Sequence, residues 1–200
     1  MPVVHFIGND WRIAAFVALV VVAMAWNAIN RVRWDLGWIA SGNERTFIPE
    51  RCWSYDGRDL EVFAEAADRA GMLGFYVNAI LRRSDVCFAI ALSAITAFIW
   101  YRIAVTPMAY WIFNWAALPL GAMAVLYGMA DVAEDIKLAT ILNHRQSIDR
   151  ADAAATNMLT RIKMVTLTLS LIGVVIFAVV ALLEVCAVRL RRRRPTPASR

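Results

Sequence analysis

Four stretches of almost unbroken apolar residues, about 11–29, 86–104, 109–130 and 164–188, alternate with segments in which charged and polar residues return. A helix of about 20 apolar residues crosses the hydrocarbon core of a bilayer. Inside lipid, a helix satisfies all of its own backbone polar groups, so helix is the expected conformation of each run. The pattern predicts an all-α integral membrane protein: a four-transmembrane-helix bundle forming one membrane domain over 1–188.

The polar segments carry patterns of their own. The first loop, 30–84, opens irregularly with Gly37, Gly42 and Pro49, then holds an aromatic and basic patch, Arg51-Cys52-Trp53-Ser54-Tyr55. A helical period follows, with Leu60, Phe63, Ala64 and Ala67 on one face and Arg58, Glu61, Glu65, Asp68 and Arg69 mainly elsewhere. Asp56 is placed to cap this amphipathic helix, and Gly71 and Gly74 mark its end before a second helix starts near Phe75. The expected resting place is the membrane surface or the top of the bundle; the alternative is a lid over a site in the membrane. Residues 137–161 read as a polar helical extension broken near Asn143 and able to pack on the first-loop helix. The segment 189–200 reads as a basic, disordered tail.

Composition sharpens the class. Hydrophobic residues make up 60% of the chain and charged residues 18%, a membrane balance rather than a soluble one. The net charge of +5 does not point to nucleic acid, because the surplus lies in Arg189, Arg191, Arg192, Arg193, Arg194 and Arg200. A basic cluster directly after a membrane helix is a topology signal and a contact for anionic lipid headgroups. With all four runs spanning, both termini share a side carrying eight Lys or Arg, while the opposite side carries thirteen spread over longer loops. The dense arginine cluster places the C-terminus in the cytoplasm. Arg31, Arg33, Arg82 and Arg83 weigh the other way. The first run has a second reading as a cleaved signal peptide ending at Ala23-Met24-Ala25, although Trp26 suits an interfacial anchor.

Familiar catalytic constellations are missing from the sequence. Cys52, Cys87 and Cys186 form no CxxC pair, and His5 and His144 are the only histidines, so neither a metal centre nor a cofactor site is expected. The best-patterned polar residues lie in the third run. Asn114, Ala117, Gly121, Ala124, Gly128, Asp131 and Asp135 follow one another at alternating spacings of 3 and 4, one stripe on a helix. Small residues at that spacing let another helix approach closely. The stripe carries Asp131 and Asp135 towards protein, with Glu134 beside them. Antiparallel threading brings Arg82, Arg83, Asp85, Arg161 and Lys163 to the same depth. A charge network is therefore expected there, either as a structural staple or as a site for a small ion, proton or headgroup. A weaker stripe in the fourth run, Thr166, Ser170, Gly173, Phe177, Val180 and Glu184, would put Glu184 near Arg102.

The acidic run Asp131-Val132-Ala133-Glu134-Asp135, with Leu118-Pro119 before it and Asp85 heading the previous span, resembles an uncharacterised family of bacterial four-helix membrane proteins. In that family a surface helix ends in G-R-x-x-Y, an Asp opens the second span, and the third holds L-P and then D-x-x-E-N. Phe75 follows Gly74 where the family has Arg, Asn78 stands where Tyr would be, and Asp135 replaces Asn. The resemblance covers residues 55–142, implies the four-helix architecture and singles out Asp85, Asp131 and Glu134 without naming a reaction. The expected role is a non-enzymatic accessory, scaffold or assembly component. Its partners would be the bilayer, anionic headgroups, and a membrane protein or a second copy. The alternative is a small transporter or an enzyme acting on lipid headgroups through the acidic cluster.

Overall fold

The computed structural model describes residues 11–42, 48–49, 52–105, 111–144 and 148–192. It holds five helices among those residues: α1 (Trp11–Ala40), α2 (Gly57–Arg69), α3 (Leu73–Val105), α4 (Trp111–Asn143) and α5 (Arg150–Arg192). Four of them, all but α2, are long and apolar enough to cross a membrane. The chain is thus an all-helical membrane bundle carrying one amphipathic helix between its first and second spans.

Each spanning helix runs past its apolar stretch. The loop expected to open at residue 30 begins only after Ala40, because Asn27, Arg31, Trp34 and Trp38 recur at spacings of 4, 3 and 4 and keep one face of α1 against protein. Likewise α4 continues from the apolar run to Asn143, and α5 is helical from Arg150 through Arg192. Helix therefore replaces the disordered state expected at 189–192; residues 193–200 and the Glu184 side chain, with its expected pairing to Arg102, lie outside what is described.

These extensions meet α2 to form a cap with a core of soluble-protein character. Asp56 accepts from the Asp59 backbone N–H at 2.9 Å while the Asp59 carboxylate accepts from the Asp56 N–H at 3.0 Å, a reciprocal cap on α2. At the other end Gly71 has φ +67°, letting its N–H reach the Asp68 carbonyl at 2.8 Å and the Met72 N–H reach Ala67 at 2.9 Å. The apolar face of α2 then buries Leu60, Phe63 and Ala67 against Trp34, Trp38, Tyr76, Leu138, Leu142 and Ala153. Aromatic contacts tie the elements together, with Trp34 and Tyr76 ring centres 4.8 Å apart and Phe63 and Tyr76 4.9 Å apart. Across the α4–α5 break, Lys137 pairs with Asp152 at 2.9 Å.

The first ten residues after Phe75, Tyr76–Asp85, are π-helical before α3 continues as ordinary α-helix. Its buried residues, Tyr76, Val77, Ile80, Leu81, Ser84 and Asp85, repeat every four positions. Asp85 closes this stripe on the inward face.

In the membrane layer, α3, α4 and α5 meet through small and polar residues. Ala117, Ala124 and Gly128 are buried, and Gly121 is half-buried. A Cβ on Gly128 would lie 2.6 Å from Ser93 Cβ, and one on Gly121 3.2 Å from Trp100 Cβ. Ser93 donates to the Ala124 carbonyl at 2.8 Å, Trp100 Nε1 to Ser170 Oγ at 2.9 Å, and Ser170 to the Leu120 carbonyl at 3.1 Å. Asn114 closes the α3–α4 turn, its amide donating to the carbonyls of Ile103 at 3.1 Å and Ala104 at 3.0 Å. The neighbouring Trp115, Leu118 and Met129 point away from protein.

Gly128→Leu should force α3 and α4 apart, and overpacking of this kind costs about 1–3 kcal/mol. Gly121→Leu should cost less, since its nearest neighbour is further away. Thermal denaturation in detergent checks both against Leu118→Ala, which should change stability least.

Candidate functional site

Between the apolar membrane layer and the cap lies a layer of buried charge. Its centre is built from two pairs of positions three residues apart, Asp131 and Glu134 on α4 and Thr160 and Lys163 on α5, which puts each pair on one helix face. Lys163 Nζ lies 2.8 Å from Asp131 Oδ1 and 2.6 Å from Glu134 Oε2, bridging both carboxylates. The remaining oxygens are bound as well: Tyr127 donates to Asp131 Oδ2 at 2.7 Å, and Thr160 donates to Glu134 Oε1 at 2.6 Å. Glu134 has no exposed surface, and Lys163 and Asp131 are each 8% exposed. Burial at this depth makes the pairing obligatory, since an isolated charge in such a medium costs several kcal/mol.

A second ion pair joins the other two helices. Arg31 Nη2 of α1 lies 2.7 Å from Asp85 Oδ2 of α3. One turn deeper, Ser84 Oγ sits 3.5 Å from Asn27 Oδ1. Between the two pairs the helices leave a cleft of about 170 Å³, lined by Asn27, Arg31, Asp85, Tyr127, Asp131, Asp135 and Lys163, with Phe88, Met164 and Leu167 on its apolar side. Asp135 is buried and faces this cleft. Counting Glu134 behind the cleft, four carboxyl groups stand against two cationic side chains, a formal excess of two negative charges among the described residues.

The acidic residues singled out from sequence therefore come together: Asp85, Asp131 and Asp135 line one cleft and Glu134 backs it. The arginines proposed beside them do not join. Arg82 and Arg83 are exposed, and Arg82 is 3.5 Å from the Asn78 side chain. Arg161 is exposed too and donates to Ser54 Oγ at 3.3 Å. Within the π-helical stretch Ser84 and Asp85 are buried, and the two preceding arginines lie on the exposed side. Lys163 and Arg31 supply the counter-charge instead. Arg31 enters the sequence reading only as a topology signal, yet its spacing with Asn27, Trp34 and Trp38 marks the same buried face. Tyr127 had no sequence signal beyond lying one turn before Asp131, and Thr160 none beyond lying three residues before Lys163.

Among the described residues no three His, Cys, Asp or Glu side chains converge into a metal cage. Cys52, Cys87 and Cys186 are free thiols, and none of them lines this cleft. No protein family, curated protein or solved structure was found to match the chain.

Lys163→Met should be the most damaging single change in this layer. It strands two buried carboxylates, and breaking a buried pair costs about 3–5 kcal/mol. Arg31→Leu should cost less, because the Arg31 side chain is 25% exposed and its ion pair is partly screened by solvent. Melting of the two variants in the same detergent checks the ranking; equal losses would contradict it.

Proposed function

We propose that this four-helix membrane protein is a non-enzymatic assembly or accessory component whose charged layer locks the bundle and its cap into one shape. The observation that carries this reading is the Lys163 bridge, which uses the polar centre to bind α4 to α5 rather than leaving it free for chemistry. The distribution of buried surface adds support. Only 6% of the most apolar window of α5 is buried inside the chain, against 33% for α4, so α5 leaves a long apolar surface to lipid or to another membrane helix. In this reading the partners are the bilayer, anionic headgroups at the arginines following Val188, and a membrane protein or second copy. The membrane is a bacterial inner membrane with the C-terminus in the cytoplasm, and the chain belongs with the uncharacterised four-helix family it resembles.

A second reading has its own observation. The charged layer borders a cleft of about 170 Å³, as a small transporter or a headgroup-modifying enzyme would require. Asp85→Asn separates the two, because Asp85 lines the cleft but takes no part in the Lys163 bridge. On the assembly reading, the protein in liposomes shows neither ion flux nor headgroup turnover, and its deletion lowers the abundance of a membrane protein that crosslinks to it in cells. Flux or turnover that Asp85→Asn abolishes without lowering the melting temperature would establish the second reading. Single cysteines introduced at Gly42 and after Arg192 in a cysteine-free background should be labelled from opposite sides, only the former by a membrane-impermeant thiol reagent in intact cells.

A further inference from the structure

Past Ile29, α1 leaves its apolar run and yet keeps an apolar line on its outer side. The large apolar residues it still exposes there are Val32, Leu36 and Ile39. With Ile29 they follow one another at spacings of 3, 4 and 3, each between 54% and 64% exposed. The opposite face of the same turns, with Arg31, Trp34 and Trp38, is turned to α3 and the cap core. Arg31, Arg33 and Asp35 all lie off the line, so it carries no charge. Traced back into the membrane layer, the same alternation reaches Ala25, Val22, Ala18 and Ala15, which are exposed as well.

Two kinds of solvent meet this face. In the membrane layer α1 exposes apolar side chains in several directions, as contact with lipid allows; beyond Ile29 its exposed large apolar residues all fall on the one line. Leu36 and Ile39 lie about 7.5 and 12 Å past Arg31 along the helix axis. They are level there with Trp34 and Trp38 of the cap core, where water is the alternative solvent and covering apolar surface is favourable. Deeper in, the small Ala15, Ala18 and Ala25 let a second helix approach closely. A seven-residue apolar repeat held from Ala15 to Ile39 is the pattern of a helix that pairs with another at a shallow, left-handed crossing.

We propose that this face of α1 is a homodimer seam, on which a second copy of the chain lays its own α1 in parallel. A copy inserted in the same orientation sets each residue of the line at the height of its own counterpart. The apolar line then meets an apolar line of equal length with no charge opposite it, the self-complementarity that a two-fold interface requires. The exposed side chains of the line amount to roughly 600 Å² per copy, close to the ~800 Å² that each partner gives to a stable interface. The seam supplies a surface for the assembly role but does not rest on it: ion flux or headgroup turnover would end that role and leave the seam standing.

Cysteine scanning of the full chain in liposomes tests the seam after Cys52, Cys87 and Cys186 have been replaced by serine. Val22→Cys, Ala25→Cys, Ile29→Cys, Val32→Cys, Leu36→Cys and Ile39→Cys are oxidised one at a time with copper phenanthroline. Val17→Cys and Met24→Cys, exposed positions off the line, are the controls. Variants on the line should give several-fold more covalent dimer than the controls, on both sides of Ile29. Energy transfer between labelled copies, followed on dilution with lipid, should show dimerisation weakened about tenfold or more in Leu36→Glu. Leu36→Ala should weaken it in the same direction by less, which keeps the test open if the charged variant fails to fold. A chain that stays monomeric at every lipid ratio would overturn the proposal, as would controls that crosslink equally well. So would crosslinks that stop at Ile29, or crosslinks in intact cells that join α1 to a different protein and not to itself.

Discussion

Lys163 reaches across the α4–α5 contact to two carboxylates, 2.8 Å from Asp131 and 2.6 Å from Glu134, and the rest of the molecule is arranged so that this contact is possible. A cation at this depth must be compensated, and so must the acids; removing either side leaves the other stranded in a poorly polarisable medium. The bridge fixes the rotation of both helices. Once Asp131 and Glu134 face α5, the positions a turn or more earlier on α4 face its neighbours as well, and these are the small residues that allow close approach. Helices in lipid gain nothing from hiding apolar surface from one another, so this charge pairing and the Ser93, Trp100 and Ser170 hydrogen bonds set the register instead.

The cap follows a different physics. Around Trp34, Phe63 and Tyr76 the helices lie beyond the apolar runs, water is the alternative solvent, and burial of aromatic surface drives association. The protein is therefore two cores stacked along the same helices, one stabilised by hydrophobic burial and one by packing and polar contacts, with the charged layer between. Tyr55 belongs to the upper core by its ring and touches the charged layer by its hydroxyl.

Much was readable without coordinates. Four long apolar runs can only be helices in lipid, and the 3.6-residue period with Asp56 ahead of it and Gly71 behind it defines α2 down to its caps. These are local facts: backbone hydrogen bonding, side-chain periodicity and the freedom of glycine at positive φ act within a few residues. The stripe from Asn114 to Asp135 was likewise written in the spacing of small and acidic side chains on a single helix.

Which charge meets which was decided only by the tertiary structure. Antiparallel threading puts Arg82 and Arg83 at the depth of Asp131, Glu134 and Asp135, but both side chains are exposed, and Lys163 and Arg31 meet the acids instead. Arg31 became a partner because α1 stays helical to Ala40 and its Asn27, Arg31, Trp34 and Trp38 face packs against protein. The charged layer and the cleft both join residues from different helices. Sequence fixed what each helix could offer; the packing of four helices determined which of those groups came within a hydrogen bond of one another, because pairing in a low-dielectric layer depends on distances of tenths of an ångström that no local pattern specifies.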